Sequence, residues 1–396
     1  MKKLILTVSF ISISASMFAG GFRISIQGVK QAAMAHTGVA STTDASATFF
    51  NPAGLARQEK KWSVSANVFG VQPTAKHQDR EFGYEQTTDN PIGTPFGLYV
   101  SHKLSDKLVI GLGIYTPYGN TVTWGDEWAG QAIIRDISLR AYFIQPTVAY
   151  KLNDWASIGA GLIYAKGAVE INRAFVASGN VELKSDKASG LGYNLGLMIN
   201  PSEKVAIGVN YRSKVAMNAE GDAYITSNQG ASLANDRWEA ELPLAAELTF
   251  GVSYKPIEKL TLNYDMNYTF WDAYESLDFD FNGVLPDSSS KRNYENTMTY
   301  RIGLAYDVLQ SLTLRLGAYY DETPSPDEYF SPETPTLDTR ALTGGLSYRF
   351  KNGVSIDASY LYLNGKERNF TNVETNFKGD VRSHTHIVGL GTSFNF

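Results

Sequence analysis

The side chains that could do covalent or metal chemistry are few and scattered. The chain has five histidines, His36, His77, His102, His384 and His386, and no cysteine. Neither a Gly-x-Ser-x-Gly elbow nor a His-Glu-x-x-His pair accompanies them, so no activated serine and no zinc helix is signalled. His384-Thr385-His386 sets two imidazoles on one face of a strand, but a metal site needs a further ligand, and a solvated feature is the plainer reading. Asp321, Glu322, Asp327 and Glu328 likewise read as an acidic loop before they read as an ion site. What remains is recognition. Arg301, Arg315 and Arg349, with Lys166 or Arg173, fall by alternation on the interior face of the pattern described next, where a cation can hydrogen-bond a carboxylate. Asp265, Asp307 and Asp357 are available there too and can neutralise the cations instead. A net charge of -5 gives no basic footprint for nucleic acid.

These groups are positioned by strands. From Lys61 onwards the hydrophobic pattern has period two: Leu260, Leu262, Tyr264, Met266, Tyr268 and Phe270 alternate with Thr261, Asn263, Asp265, Asn267 and Thr269. Similar segments recur to the end of the chain, which predicts fourteen strands over 61–72, 95–104, 107–119, 137–152, 155–172, 189–200, 203–218, 239–255, 257–271, 296–308, 310–322, 338–350, 353–365 and 380–396. Short turns (Ser105-Asp106, Asn153-Asp154, Pro201-Ser202, Pro256, Leu309-Gln310 and Asn352-Gly353) alternate with longer polar loops. A soluble sandwich has no reason to sort its loops in this way, whereas an outer-membrane barrel has short periplasmic turns, long outer loops and an even strand count. Composition agrees: 23 Tyr, 20 Phe and 35 Gly, with 19% charged residues and 43% hydrophobic. No apolar run after the N-terminus is long enough for a membrane helix. The last strand ends with the chain, and Val388, Leu390, Thr392, Phe394 and Phe396 share its lipid face, an arrangement similar to the assembly signal of bacterial barrels.

The expected fold class is therefore all-β, a 14-stranded antiparallel transmembrane β-barrel with a small N-terminal helical plug in its lumen. Residues 1–19 read as a secretory signal peptide, with Lys2 and Lys3 before an apolar segment and small residues after it; cleavage after Ser16 and after Ala19 both fit. Residues 20–60 are the plug and 61–396 the barrel. Between Ala32 and Thr48, thirteen of seventeen residues are Gly, Ala, Ser or Thr, too small to build a core alone but suited to packing against a surrounding wall. An Ala-rich surface helix is the alternative. Asp44 is placed to cap a short helix towards Phe50, and Asn51 before Pro52 to cap a second. Trp124, Trp128, Ile133 and Ile134, in the loop over 119–136, could catch an apolar ligand, fold into a small loop core or sit at the lipid interface.

A plug ending in Asn51-Pro52-Ala53, followed by fourteen strands, resembles the outer-membrane long-chain fatty acid transporter family, the FadL type, which includes channels for monoaromatic hydrocarbons. Trp155 to Glu170, Tyr211-Arg212-Ser213-Lys214-Val215, Tyr300-Arg301-Ile302-Gly303-Leu304 and Asp321-Glu322-Thr323-Pro324-Ser325-Pro326 are similar to strands and loop starts of that family, in the same order. The resemblance implies passive transport in the bacterial outer membrane by a monomer, with a hydrophobic small molecule, a fatty acid or aromatic hydrocarbon, and membrane lipid as partners, and with no cofactor and no enzymatic activity. It implies that Gly21, Phe22, Asn51, Pro52 and Ala53 belong to the plug, and that a kink at Pro117, Tyr118 and Gly119 opens the third strand sideways. Pro117 lacks a ladder donor and Gly111 and Gly113 leave space on the lumen face; a strand that simply ends at Pro117 is the other reading. Arg301, Arg315 and Lys166 are the candidate carboxylate contacts. Outside transport, a lipid-acting enzyme would need a clustered nucleophile and base, and a structural barrel would need no plug. The family's outer capture groove uses long third and fourth loops, and the third is short here, over 172–188.

Overall fold

Alternating segments close on themselves because every pairing in the wall but one joins strands adjacent in sequence, and the last joins the final strand to the first. A computed structural model of the chain describes residues 20–24, 26–175 and 179–396; the signal peptide expected over 1–19, and Ser25, lie outside the described residues. Fourteen antiparallel strands form the wall: β1 (Trp62–Gln78), β2 (Phe96–Lys103), β3 (Leu108–Thr123), β4 (Asp136–Lys151), β5 (Ala156–Phe175), β6 (Gly179–Ser202), β7 (Val205–Arg212 with Val215–Ser227), β8 (Ser232–Leu244 with Ala246–Ile257), β9 (Leu260–Phe270), β10 (Thr297–Leu309), β11 (Leu312–Asp321), β12 (Thr339–Arg349), β13 (Val354–Thr371) and β14 (Lys378–Asn395). The seam is β14 on β1, paired from Ser63↔Asn395 to Gln78↔Asp380. The main chains of Trp62 and Phe396 exchange hydrogen bonds of 2.8 and 3.0 Å at its foot. No edge is left for another chain to extend there. No helix among the described residues is long and apolar enough to cross a membrane; the strands do the crossing.

Side-chain alternation separates lipid from lumen. Val388, Leu390 and Phe396 are exposed on the outside of β14, whereas Ser383, Thr385 and Ile387 are buried inside. The 172–188 region departs from the sequence expectation. Residues 172–175 and 179–188 continue β5 and β6, paired from Asn172↔Glu182 to Phe175↔Gly179. Ile171, Val181 and Leu183 are buried there, so the polar composition hid one apolar face that extends the barrel core outward. In the loop over 124–135, Trp124 and Trp128 stack at 4.5 Å, and they are buried with Ile134; they form the small loop core.

The lumen is occupied by residues 20–24 and 26–57. Here α1 (Val29–Ala32), α2 (Ala47–Phe50) and a 3-10 helix (Pro52–Arg57) are joined by turns. Such short helices have no independent stability; wall contacts hold them. Those contacts are close because small residues meet glycines. A Cβ on Gly159 would lie 2.4 Å from the Pro52 carbonyl carbon, and one on Gly196 would lie 2.1 Å from Asn51 Oδ1. Asn51 caps the 3-10 helix, its Oδ1 accepting from the Ala53 amide at 3.1 Å, with Pro52 in the first turn. Asp44 does not cap α2. Ser46 occupies the N-cap position, and Asp44 Oδ1 instead accepts from the Ser46 amide at 3.0 Å, which fixes the turn that leads into the helix.

Candidate functional site

The wall is irregular at β3. Tyr115 pairs with Phe143 and Tyr118 with Ala141, so Thr116 and Pro117 together face the single residue Tyr142. That is a β-bulge, which bends the strand. Pro117 therefore lies inside a strand that continues to Thr123. On the other side β2 begins only at Phe96, and its pairing with β3 stops at Gly97↔Tyr115. Above that level β3 pairs with no wall strand on this side, and only at its end does the Thr123 carbonyl accept from Asp89 N at 2.9 Å.

The N-terminal segment docks on this edge. Arg23 and Tyr118 form an isolated antiparallel bridge, flanked by Ile24 N–H donating to Pro117 O at 2.8 Å and Gly119 N–H donating to Phe22 O at 3.0 Å. Pro117 cannot donate, but its carbonyl can accept, and that is what the docked segment uses. The Phe22 ring lies 5.1 Å from Trp271, 5.8 Å from Tyr274 and 5.9 Å from Tyr118. Gly21 has φ +64°, and a Cβ there would sit 2.6 Å from the Trp271 ring, so the approach requires glycine.

Buried charge fastens the same segment. Arg23 Nη1 donates to Asn267 Oδ1 at 2.5 Å and lies 3.6 Å from Glu247; Nη2 donates to Thr299 at 3.1 Å and lies 3.3 Å from Asp321. Arg212 lies 4.0 Å from Glu247 and donates to Phe49 O at 2.8 Å. Asp265 Oδ2 accepts from the Gly38 and Val39 amides at 2.8 and 3.1 Å. Arg23, Arg212 and the three carboxylates thus knit the segment to β7, β8, β9 and β11, an arrangement in which losing one partner costs far more than the pair itself contributes. His36 belongs to the same interior. Burial, followed by the fields of Arg301, Arg23 and Arg212, holds its imidazole well below the usual range. Its neutral Nε2 accepts from the Gln27 amide at 2.9 Å.

Three cavities adjoin this assembly. The largest, about 570 Å³, is bounded by Arg23, Ile24, Tyr118, Tyr319 and Ile387 on the lumen side and also by Phe96 and Tyr142, whose alternation sets them on the outer face. A second, about 70 Å³, lies in the outer half and is almost wholly apolar, lined by Phe22, Val169, Met217, Trp238, Leu244 and Phe279, with Arg292 and Glu333 at its border. Leu139, Arg140 and Ala141 line both, so the two are contiguous along β4. The third, about 30 Å³, is polar and lies among Arg23, Arg212, Glu247, Asp265 and Arg301.

A closed barrel with a docked N-terminal segment, a bulged third strand and greasy interior space invites comparison with known proteins. Residues 10–396 match the model of the family described as "Outer membrane protein transport protein (OMPP1/FadL/TodX)". The chain belongs to this family. The FadL/TodX family consists of outer-membrane transporters and channels for hydrophobic compounds, not enzymes. Among relatives, "Outer membrane protein P1" of Haemophilus influenzae is 25% identical over 344 residues, covering 76% of this chain and 74% of that protein. The "Long-chain fatty acid transport protein" of Escherichia coli strain CFT073 is 22% identical over 437 residues, covering 99% and 97%. The crystal structure of a Pseudomonas aeruginosa FadL homologue superposes with a TM-score of 0.86 at 20% identity, over 95% of this chain and 100% of that one. The P. putida toluene transporter TodX gives 0.75 at 19%, over 93% and 98%. At such identities the structures establish the fold.

Within this FadL/TodX barrel the sequence-derived cations separate. Arg301 is buried and lines the small polar cavity, with its guanidinium 6.0 Å from the Tyr319 ring. Arg315 donates to Ser347 at 2.5 Å and does not line these three cavities. Lys166 needs correction. It is exposed, on the same face as Leu162 and Tyr164, while Ile163 and Ala165 face inward, so strand parity points its ammonium out of the barrel. Arg349 ends β12 exposed, and His384 and His386 stand on the outer face of β14. Arg23, Arg212, Glu247 and Arg292 were missed. Arg212 and Glu247 are register partners on β7 and β8, and a pairing table would have found them. Arg292 comes from an irregular loop that periodicity does not reach.

Proposed function

We propose that this protein passes long-chain fatty acids, or compounds of similar hydrophobicity, passively across the outer membrane as a monomer. In this reading residues 20–60 are the plug, with Gly21, Phe22, Asn51, Pro52 and Ala53 fixing its position, and Pro117, Tyr118 and Gly119 form a lateral exit. The observation that carries it is the cavity of about 570 Å³, which has both lumen-facing and outward-facing residues on its wall at the β3 bulge. An apolar chain is held by roughly 0.8 kcal/mol per buried CH2, so delivery requires that part of the binding surface withdraw. The segment paired to Pro117 and Gly119 is that movable part, because it is wall and plug at once.

A carboxylate end favours a cation at the border of the apolar space. Arg292 meets that need best. Its Nη2 lies 2.5 Å from Glu333 beside the apolar pocket. Burial acts to lower its pKa, but the neighbouring Glu333 carboxylate outweighs this and leaves it above the ordinary value. Arg301 is a second candidate, deeper in the lumen. The alternative ligand is a monoaromatic hydrocarbon, which the pocket lined by Phe22, Trp238, Tyr274 and Phe279 suits and which would need no cation.

Uptake of labelled oleate and labelled toluene by cells with and without the protein tests the reading. Protein-dependent uptake of one or both is expected, and Pro117→Thr with Gly119→Val should reduce it. No protein-dependent uptake of either ligand would end the transport proposal for these compounds. Full uptake by the substituted protein would end the lateral part. Deletion of residues 21–55 without effect would favour a structural barrel.

A further inference from the structure

The cavity at the β3 bulge reaches the outer face, where two side chains stand in the way. Phe96 is the first residue of β2, one step above Gly97↔Tyr115. Tyr142 lies on β4 between Ala141 and Phe143, opposite the two residues of the bulge. β2 and β4 are the two neighbours of β3, so in a regular sheet their backbones would be about 9.5 Å apart with an outward side chain of β3 between them. At the bulge that side chain is missing. Ile114 is the last regular outward residue below it; Thr116 turns its hydroxyl to the Phe96 main chain, accepting from Phe96 N at 2.9 Å and donating to Phe96 O at 3.2 Å. Pro117 lines the inner polar cavity. The Phe96 and Tyr142 rings fill the vacancy, with centroids 6.2 Å apart, and both bound the same cavity as the lumen residues Tyr319, Leu363 and Ile387.

We infer that Phe96 and Tyr142 are the outer door of the lateral route and that the space between their rings sets the width of ligand that can leave into the bilayer. This rests on the lateral reading of β3 given above. The pair is anchored differently on its two sides. The Phe96 main chain is tied to the bulge through Thr116, so a change in the bulge moves that lip directly. Tyr142 sits on a strand paired continuously on its far side, Tyr142↔Lys166, and provides the fixed lip. With centroids 6.2 Å apart the rings leave no room for a third molecule between them, so a flat aromatic hydrocarbon needs one lip displaced, whereas a branched or polycyclic compound needs both.

The chain has no cysteine, so the test is clean. Phe96→Cys with Tyr142→Cys is made in the full-length protein, purified folded, joined with a short reducible bis-thiosulfonate reagent and assayed for labelled toluene and oleate transfer into liposomes. The two single-cysteine proteins, treated identically, are controls, and mass spectrometry counts bridged molecules. Bridging should abolish transfer and reductant should restore it. In Phe96→Ala/Tyr142→Ala, transfer should rise about twofold to tenfold, the factor by which one aromatic pair shifts an equilibrium, and more for a bulky polycyclic hydrocarbon than for toluene. Pro117→Thr/Gly119→Val is run alongside. If that protein loses transfer while the bridged one keeps it, lateral exit stands and the door is overturned. If neither loses transfer, the lateral route itself falls and the door with it.

Discussion

Replacing Asn51 by Asp exchanges one amide nitrogen for an oxygen with almost no change in shape, and the site it occupies is fully buried. In the native protein Nδ2 donates to Val39 O at 2.9 Å and to Leu197 O at 3.0 Å, tying the N-terminal segment to the β6 main chain, while Oδ1 caps the 3-10 helix. The Asn51→Asp side chain would keep the cap and present its second oxygen to two carbonyls. An ionised carboxylate cannot stay there, so the docked state must hold the acid protonated. Keeping an acid with an ordinary value near 3.9 protonated at pH 7 costs about 4 kcal/mol. The one carbonyl left without a donor adds about 1–3 kcal/mol. Together this raises the undocked fraction of the segment by a factor of at least about 10³ at pH 7, since each 1.4 kcal/mol is tenfold. The sign with pH follows. The docked acid has the higher pKa, so its penalty is absent below the undocked value near 4 and grows as pH rises above it. Hydrogen exchange at Gly54 and Gln58, whose amides donate to Asn51 O and Leu55 O, reads this out. Relative to wild type at the same pH, both amides should lose protection at pH 7 and regain most of it near pH 4, while β9 amides stay protected. Equal protection of wild type and variant at pH 7 would refute the reasoning, because it would mean that the two Nδ2 bonds do not hold the segment.

Four further outcomes are expected. Arg23→Ala removes the ion-pair partner of buried Asp321 and leaves Glu247 with Arg212 at 4.0 Å, a loss of about 3–5 kcal/mol that should appear as faster exchange of the Ile24 and Gly119 amides, with Arg23→Lys intermediate. Gly159→Val forces a side chain into the Pro52 main chain; the barrel should still assemble, but residues 52–57 should become susceptible to protease and single-channel conductance should rise. Deleting Phe396 removes both hydrogen bonds to Trp62 at the foot of the seam, about 2 kcal/mol at roughly 1 kcal/mol each, which should lower the thermal midpoint of barrel unfolding measured by gel migration. In Arg292→Met/Glu333→Gln, which removes the cation without stranding its partner, oleate uptake should fall about tenfold or more, the worth of a charged hydrogen bond, with toluene uptake unchanged.

Strand number, connection order and the two faces of each strand were legible because period two is a local property: Leu260 to Phe270 declares its faces without reference to any other segment. The cap at Asn51 was legible for the same reason, since an Asn-Pro pair specifies its own turn. The limits of β5 and β6 were not, because Ile171, Val181 and Leu183 are too sparse among polar residues to mark an apolar face until their register is known. Lys166 was misplaced by reading a strand end without its parity, and Arg292 was invisible because a loop has no period from which to infer direction.

By itself the sequence determined a fourteen-stranded outer-membrane barrel with a small-residue segment ahead of it. It also carried the resemblance that family membership bears out. Only the tertiary structure decided where that segment goes and what it touches. The pairing of Phe22 to Ile24 with Pro117 to Gly119, the convergence of Arg23, Arg212, Glu247 and Asp321, and the meeting of Phe96 with Tyr142 each join residues from separate elements. Such contacts depend on barrel closure and on one bulge that shifts the register of β3, and neither leaves a periodic trace in the residues that meet.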